Sequence, residues 1–436
     1  MMASCYNFRC SFTINITYFS LMEEPGAITL ETADFLLSTS GGVGLKTLQA
    51  VDLRAAQTLS VLTSLRRTFS ADQAGALLAL ARLRQRATDK FPFANQLFLT
   101  AEALEQATAW PVAQHHAAWL HRYAPPGGLL ELGCGIGGDT LALAQHRRVI
   151  AFEQDPLRLR FAQANAAALG LADQIEFQQA DWTLALAANT LPSAAAAYAD
   201  PARRVSGKRV FSLHGMQPPL ATLLRLQQQI PHLAVKVMPG VDDAELPSGC
   251  GVEFISHAGV CKEALLWFGA LALRPRWASV HMPGGWQSVV ASGRTPPLGK
   301  LLAGQFLHEP DPALIRAGCF AELCEQLAAH LFDAQIAYLV SSQRKLDPLV
   351  RSFLIHEIHP FSLKVLNRRL RALGIGRVEL KKRGFPVEPE ALRKRLTLTA
   401  GGRPGVVVFT QQNDNHIMLI CERINSDWQA TEERAI

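Results

Sequence analysis

The spacing of apolar positions changes partway along the chain. From about residue 31 to 123 they recur every three to four residues, the spacing of helices with one buried face. Ala74, Leu77, Leu78 and Ala81 follow Ser70-Ala71-Asp72-Gln73, a capping-box sequence in which each end side chain satisfies the other residue's backbone N–H. Arg82, Arg84, Arg86 and Lys90 close that helix. Thr100 is placed to cap the next one, with Glu102 in its first turn, where negative charge suits the helix dipole. Pro111 interrupts the pattern before 112–120 resumes it.

Beyond the turn Pro125-Pro126-Gly127-Gly128 the apolar runs shorten. Runs at 129–132, 149–153, 175–178, 194–200 and 234–238 predict strands, with helices at 139–145, 157–169 and 219–229. This alternation predicts a mostly parallel sheet covered on both faces. Runs at 251–257 and 264–270 predict a closing hairpin, and Pro, Trp and Gly across 273–285 predict a boundary. A new element at 301–309, a helix at 312–327 and a strand at 336–340 follow. A third block starts near Pro348, with a basic helix at 360–373, strands around Val378 and at 406–410, and a last strand at 416–421. The expected fold class is α/β: a doubly wound, Rossmann-like sheet with an N-terminal helical region and small α+β C-terminal domains.

Composition narrows this little. The chain has 436 residues, 49% hydrophobic and 18% charged, which suits two or three domains. A net charge of +6 permits a polyanionic partner without requiring one. The eight cysteines form no C-x-x-C pair and no histidine set completes a zinc spacing, so no metal is expected and a reducing, cytoplasmic setting is. No apolar run is long enough to span a bilayer, so no membrane partner is expected. Residues 1–30 read as an extension outside the fold; Arg9 is the one charge before Met22, which is a second candidate start. Oligomeric state is not legible.

The richest stretch in chemistry is Leu129-Leu130-Glu131-Leu132-Gly133-Cys134-Gly135-Ile136-Gly137-Gly138-Asp139. An apolar strand runs into a glycine turn that lets backbone approach a nucleotide-like ligand. Read alone, this turn fits a dinucleotide fold equally well. Three acids favour another ligand. Glu131 would repel a pyrophosphate but suit a cationic methionyl amine. Glu153 ends the second strand, where a carboxylate can accept from both ribose hydroxyls. Asp181 follows the third strand, where it can accept from an adenine amine. A fourth strand ends in Ala199-Asp200-Pro201-Ala202-Arg203-Arg204. Asp200 there is a further carboxylate at the carboxyl edge of the expected sheet.

These residues resemble the class I S-adenosylmethionine-dependent methyltransferases over about 124–273. The resemblance implies S-adenosylmethionine as cofactor. It assigns Glu131, Gly133, Gly135, Gly137 and Asp139 to the methionine turn, Glu153 to the ribose and Asp181 to the adenine. Asp200, Pro201 and Arg203 become the candidate catalytic residues. Methyltransferases acting on base amines carry Asp/Asn-Pro-Pro and an aromatic; here Ala202 and Arg203 replace the last two, so the acceptor atom stays open. Phe98-Leu99-Thr100-Ala101-Glu102 and Val112-Ala113-Gln114-His115 look like the helical entry of the RNA cap guanine-N2 methyltransferases (the trimethylguanosine synthase group). Val235-Lys236-Val237 and Lys262-Glu263-Ala264-Leu265-Leu266-Trp267 are similar to bacterial relatives with a THUMP-like C-terminal domain. The resemblance implies domains at 31–123 (helical), 124–273 (methyltransferase), 274–345 (ferredoxin-like) and 346–425 (THUMP-like), then a tail at 426–436.

Charge agrees with an RNA partner. Arg368, Arg369, Lys381, Lys382 and Arg383 belong to a dense basic cluster, the footprint of phosphate contacts. THUMP-like domains imply structured RNA, tRNA or rRNA. The expectation is an RNA base-amine N-methyltransferase whose basic edge at 381–383 protrudes. The rivals are a non-catalytic RNA-binding protein and a small-molecule or protein methyltransferase. His115, His116 and His121 read as surface or packing residues, and Cys134 as a backbone position.

Overall fold

In the computed structural model the described residues are 28–201 and 212–424, with the backbone of two short strands, Arg204–Val205 and Lys208–Arg209, between them. They form two compact units.

The first unit comprises 28–252 and 263–275. It opens with helices α1 (Leu30–Leu37), α2 (Thr39–Leu48), α3 (Thr58–Leu65), α4 (Ala71–Ala87), α5 (Ala101–Gln106) and α6 (Trp110–Tyr123). The capping box forms at the start of α4: the Ser70 hydroxyl accepts from Gln73 N at 3.3 Å, and the Gln73 side chain accepts from Ser70 N at 3.1 Å. Thr100 caps α5 by accepting from Ala103 N at 3.2 Å. Pro111 lies in the first turn of α6, where its missing N–H has no helical acceptor to lose. It therefore opens a helix; the interruption falls before it, between α5 and α6.

The alternating region follows as β1 (Leu129–Leu132), α7 (Gly138–Ala144), β2 (Val149–Glu153), α8 (Pro156–Ala168), β3 (Ile175–Gln179), α9 (Trp182–Ala187) and β4 (Ala196–Ala199). After the short strands β5 and β6 at 204–205 and 208–209 come α10 (Leu220–Gln229), β7 (Leu233–Val237), β8 (Gly251–His257) and β9 (Val260–Trp267). In the first unit the sheet order is β9-β7-β4-β1-β2-β3. The β1/β2, β2/β3, β1/β4 and β4/β7 pairs are parallel, and β9 runs antiparallel to β7. Strand order reverses between β1 and β4, the crevice where ligands bind in doubly wound sheets. The ends of β1, β2 and β4 lie side by side, with Leu132 paired to both Phe152 and Ala199.

Strand β9 begins at Val260, earlier than the expected 264, because Ala258 and Gly259 adopt φ of 51° and 68° and make a two-residue hairpin turn.

The second unit comprises 253–262 and 276–424. The division between the units falls between Pro275 and Arg276, inside the Pro/Trp/Gly stretch expected as a boundary, and the rest of that stretch is largely strand. β10 (Arg276–Met282) pairs antiparallel with β11 (Gly285–Val290), Met282 opposite Gly285. Pro283 and Gly284 therefore mark a hairpin turn, and Trp277 is fully buried.

Next come β12 (Phe306–Pro310), α11 (Pro312–Ala317), α12 (Phe320–Leu327), β13 (Ala329–Leu331), β14 (Leu339–Ser341) and β15 (Val350–Pro360). The expected single helix at 312–327 is two, because Gly318 takes φ +76° as a left-handed cap. The chain ends with α13 (Leu363–Ala372), β16 (Ile375–Lys382), α14 (Pro389–Arg393), β17 (Arg403–Gln412) and β18 (Asn415–Ile424). Seven strands form one sheet ordered β13-β14-β12-β15-β18-β17-β16. The ranges expected as two modules, 274–345 and 346–425, thus both contribute strands to it. One face packs Leu307, Tyr338, Phe353 and Leu419; the other packs Phe409 and Met418 against Leu366 and Leu370 of α13.

Among the described residues no helix is long and apolar enough to cross a membrane, and no group of three or more His, Cys, Asp or Glu side chains could hold a metal ion.

Candidate active site

The glycine turn after β1 lies at the carboxyl edge of the central strands. Gly133, Gly135 and Gly137 take φ of 95°, 57° and 90°, the left-handed region where a side chain is strained. At Gly135 an added Cβ would meet nothing within 4 Å. Gly133 N and Cys134 N donate to Phe152 O at 3.0 and 2.9 Å, which fastens the turn to β2. Asn165 of α8 braces it from behind: its Nδ2 donates to Ile136 O at 2.9 Å, and its Oδ1 accepts from Phe98 N at 2.7 Å. The sequence reading missed Asn165, which resembles any polar residue on a helix.

Glu153 ends β2 with both carboxylate oxygens engaged: Gly135 N donates to one at 2.8 Å and Asp155 N to the other at 2.9 Å. It thereby links the glycine turn to the start of α8. Asp181 caps α9, accepting from Thr183 N at 2.8 Å and from the Thr183 hydroxyl at 2.7 Å. Glu131 is buried in β1, and its Oε2 has no hydrogen-bond partner. Burial, and then the Asp139 carboxylate, push its pKa up to about 8. A cation placed beside it would favour its ionised form.

Asp139, which the resemblance assigns to the methionine turn, is part of a buried charge cluster that the sequence reading did not assemble. Its Oδ2 accepts from the Thr108 hydroxyl at 2.6 Å, and its Oδ1 lies 3.0 Å from His116 Nδ1. His116 Nε2 stands 2.8 Å from Glu263 Oε1, and the Tyr198 hydroxyl is 3.3 Å from Nδ1. Lys236, in the middle of the sheet on β7, donates from Nζ to Thr108 Oγ1 and to Asp200 Oδ2, both at 2.7 Å. The same Nζ stands 3.9 Å from Asp139 and 4.0 Å from Glu263.

Two cations thus lie among three carboxylates. Burial alone would pull the His116 pKa down, but Glu263 and Asp139 hold it up at about 10. Burial would likewise raise Asp139, but the Lys236 ammonium and then His116 bring it down to about 2. His116 is a packing residue, as expected of it, but a charged one between two carboxylates.

Asp200 stands at the open end of β4 with its side chain 28% exposed, whereas Lys236 is 4% exposed. Pro201 is buried beside it. Arg203 lies outside the described residues.

The basic cluster of the second unit divides in two. β16 is the edge strand, as the sequence suggests, but the cations at its end, Lys381, Lys382 and Arg383, do not protrude. Lys381 Nζ is 2.6 Å from Glu309 and 3.2 Å from Glu379, and it lies over the Phe353 ring. Lys382 pairs with Glu388, and Arg383 lies over the Tyr338 ring with Glu309 at 3.9 Å. Their side chains are 10%, 20% and 12% exposed, which corrects the expectation of a free basic edge. Arg369 is also spoken for: its Nε donates to Glu357 at 2.8 Å. A row of exposed cations stands on α13. Lys364, Arg368 and Arg371 recur at i, i+4 and i+7 and are exposed, opposite the buried Leu366 and Leu370. Exposed Lys394 and Arg395 adjoin this helix, because Asn367 donates to Arg395 O at 2.9 Å.

A doubly wound sheet, a glycine turn at its switch point, and acids at successive strand ends define a class I methyltransferase site. Comparison with known proteins agrees. Residues 127–200 match the family described as RNA cap guanine-N2 methyltransferase, residues 350–423 match the THUMP domain-like family, and residues 29–87 match a domain of unknown function. An uncharacterised S-adenosylmethionine-dependent methyltransferase of Mycobacterium tuberculosis, found in strains CDC 1551 / Oshkosh and ATCC 25618 / H37Rv, is 35% identical over 353 residues, 78% of this chain and 93% of the relative. The crystal structure of a Porphyromonas gingivalis W83 protein described as a candidate methyltransferase shares the fold. It has a TM-score of 0.71 and 18% identity, covering 92% of this chain and all of the other. The chain belongs to the S-adenosylmethionine-dependent methyltransferases.

The cluster carries a pH signature. The folded pKa of His116, about 10, lies above its ordinary 6.5. Its contribution to stability is therefore full below pH 6.5 and is lost as pH rises towards 10. Replacing it, as in His116→Gln, should lower the melting temperature strongly at pH 6, and the difference from wild type should shrink by pH 10. Thermal melts of both proteins across that range check this; a constant difference would show that His116 is not held as a cation.

Proposed function

We propose that this methyltransferase transfers the methyl group to an exocyclic amine of a base in a structured RNA, a tRNA or rRNA. The observation that carries this reading is Asp200. It is a partly exposed carboxylate at the open end of β4, beside the glycine turn, and among the described residues its Oδ1 accepts no hydrogen bond. S-adenosylmethionine supplies a methyl group already activated on a sulfonium, so the chain's task is to bind, orient and exclude water. The residues present fit that donor. Glu131 offers an unpartnered buried carboxylate oxygen to a cationic amine, and the turn at Gly135 leaves open space. Glu153 is the candidate ribose ligand and Asp181 the candidate adenine ligand.

Asp200 Oδ1 would accept from the substrate N–H, which turns the nitrogen lone pair towards the methyl carbon. Pro201 holds the backbone beside it. The match of 127–200 to the RNA cap guanine-N2 family and of 350–423 to the THUMP domain-like family supports an RNA acceptor. Charge supports it as well, through Lys364, Arg368 and Arg371 of α13 with Lys394 and Arg395 rather than through 381–383. Such a surface touches phosphates without reading bases.

The direct experiment is transfer from tritiated donor into total cellular RNA and total protein, with nucleoside mass spectrometry of labelled RNA. Label should enter RNA as an N-methylated base, and Asp200→Ala should reduce it about a hundredfold, the scale of a mispositioned reactant. Label in protein alone would contradict the reading.

The RNA surface is tested separately. Changing Lys364, Arg368 and Arg371 together to Gln should weaken RNA binding at low salt and flatten its salt dependence, by roughly one unit of slope for each phosphate no longer neutralised. Donor affinity should stay the same. Unchanged RNA affinity and slope would remove α13 from the interface.

A further inference from the structure

We infer that Lys236 is a positioning residue for methyl transfer: it pins one oxygen of Asp200 so that the other is the only acceptor presented to the substrate amine. This rests on the role of Asp200 proposed above.

The hydrogen-bond polarity around Lys236 is fixed. An ammonium only donates, so Asp200 Oδ2 accepts from it, and so does Thr108 Oγ1, each at 2.7 Å. Having accepted, the Thr108 hydroxyl directs its own proton to Asp139 Oδ2 at 2.6 Å. Asp139 is held in turn by His116, and His116 by Glu263. Donation therefore diverges from Lys236, outwards to Asp200 at the sheet edge and inwards through Thr108 to Asp139, so the buried network anchors the ammonium that holds Asp200. Lys236 sits on a central strand and is almost wholly buried, so it has little freedom to move with its partner. Asp200, by contrast, lies just past the end of β4 and is partly open to solvent, and its own side-chain torsions would otherwise be loosely set. Fixing Oδ2 removes that freedom before substrate arrives, which is how a rigid second residue speeds a reaction limited by positioning.

A consequence follows for the asparagine variant. The amide of Asp200→Asn has one acceptor atom, and Lys236 competes for it. The NH2 group is then turned towards a substrate amine that also needs to donate. Asp200→Asn alone should therefore be nearly as inactive as Asp200→Ala. Adding Lys236→Met frees the amide to present its oxygen outwards, so the double variant should be more active than Asp200→Asn. With Lys236→Arg a donor remains, and no such recovery is expected.

The experiment measures initial rates of tritium transfer for the single and double variants. The acceptor is whichever cell fraction the wild type labels, RNA, protein or small molecules. Label outside RNA overturns the RNA reading and still allows the rates to be compared. Melting temperature and calorimetric affinity for S-adenosylhomocysteine are measured alongside. Expected results are a roughly tenfold loss for Lys236→Met alone, S-adenosylhomocysteine affinity close to wild type, and several-fold recovery when it is added to Asp200→Asn. Losses that multiply, or a fall in S-adenosylhomocysteine affinity as large as the fall in rate, would reduce Lys236 to a structural residue and overturn the inference. If Lys236→Met does not fold, it is paired with Glu263→Gln, which removes one carboxylate with the ammonium and keeps the cluster's charge. The same recovery is then required in that background, and its absence overturns the inference.

Discussion

Compensation of buried charge at the carboxyl end of the sheet is the constraint on which the site depends. An ammonium and an imidazolium sit among the carboxylates of Asp139, Glu263 and Asp200, nearly out of reach of water. Each ion would be costly there alone, and removing one partner leaves another uncompensated. The cluster joins α6, α7, β7, β9, the α5–α6 connection and the end of β4. These parts are held in register by charge as well as by apolar packing. The N-terminal region is therefore tied into this cluster: α6 brings His116, and the connection before it brings Thr108.

The same cluster separates the tasks of the acids at the sheet edge. Asp139 and Glu263 face the cations and are committed to the core. Glu131 is less fully compensated: burial and the Asp139 carboxylate raise its carboxyl more than Lys236 lowers it, and one oxygen is unpartnered. Glu153 is tied to backbone N–H groups and shapes the glycine turn. Among the described residues of the cluster, Asp200 is the one whose side chain is partly exposed. Identical chemical groups thus acquire different roles from what surrounds them.

The alternating region was legible because its signals are local. The capping box, the glycine turn and the acids at strand ends each lie within a few residues of the element they shape. The charge cluster was not, because Thr108 and Lys236 meet across 128 residues of sequence. Lys236 reads as one polar residue in an apolar strand, and His116 as one of several histidines on a helix. The basic run at 381–383 misled for the same reason: Glu309, which neutralises Lys381, lies 72 residues upstream. Strand β15 was hidden by its own bulge between Ile355 and Glu357, which breaks the alternation expected of a half-buried strand. The composition of 273–285 marked the boundary, which falls at Pro275/Arg276, but hid the hairpin that Pro283 and Gly284 close just beyond it.

The central claim is that the cluster holds two full cations against its carboxylates, and the protonation state of His116 reads this most directly. Nitrogen-15 NMR of histidine-labelled protein, with the His116 resonance assigned by comparison with His116→Gln, distinguishes an imidazolium from a neutral ring. Both ring nitrogens of His116 should remain protonated from pH 6 to pH 8, consistent with a pKa near 10. A His116 ring that is neutral at pH 7 would contradict the claim.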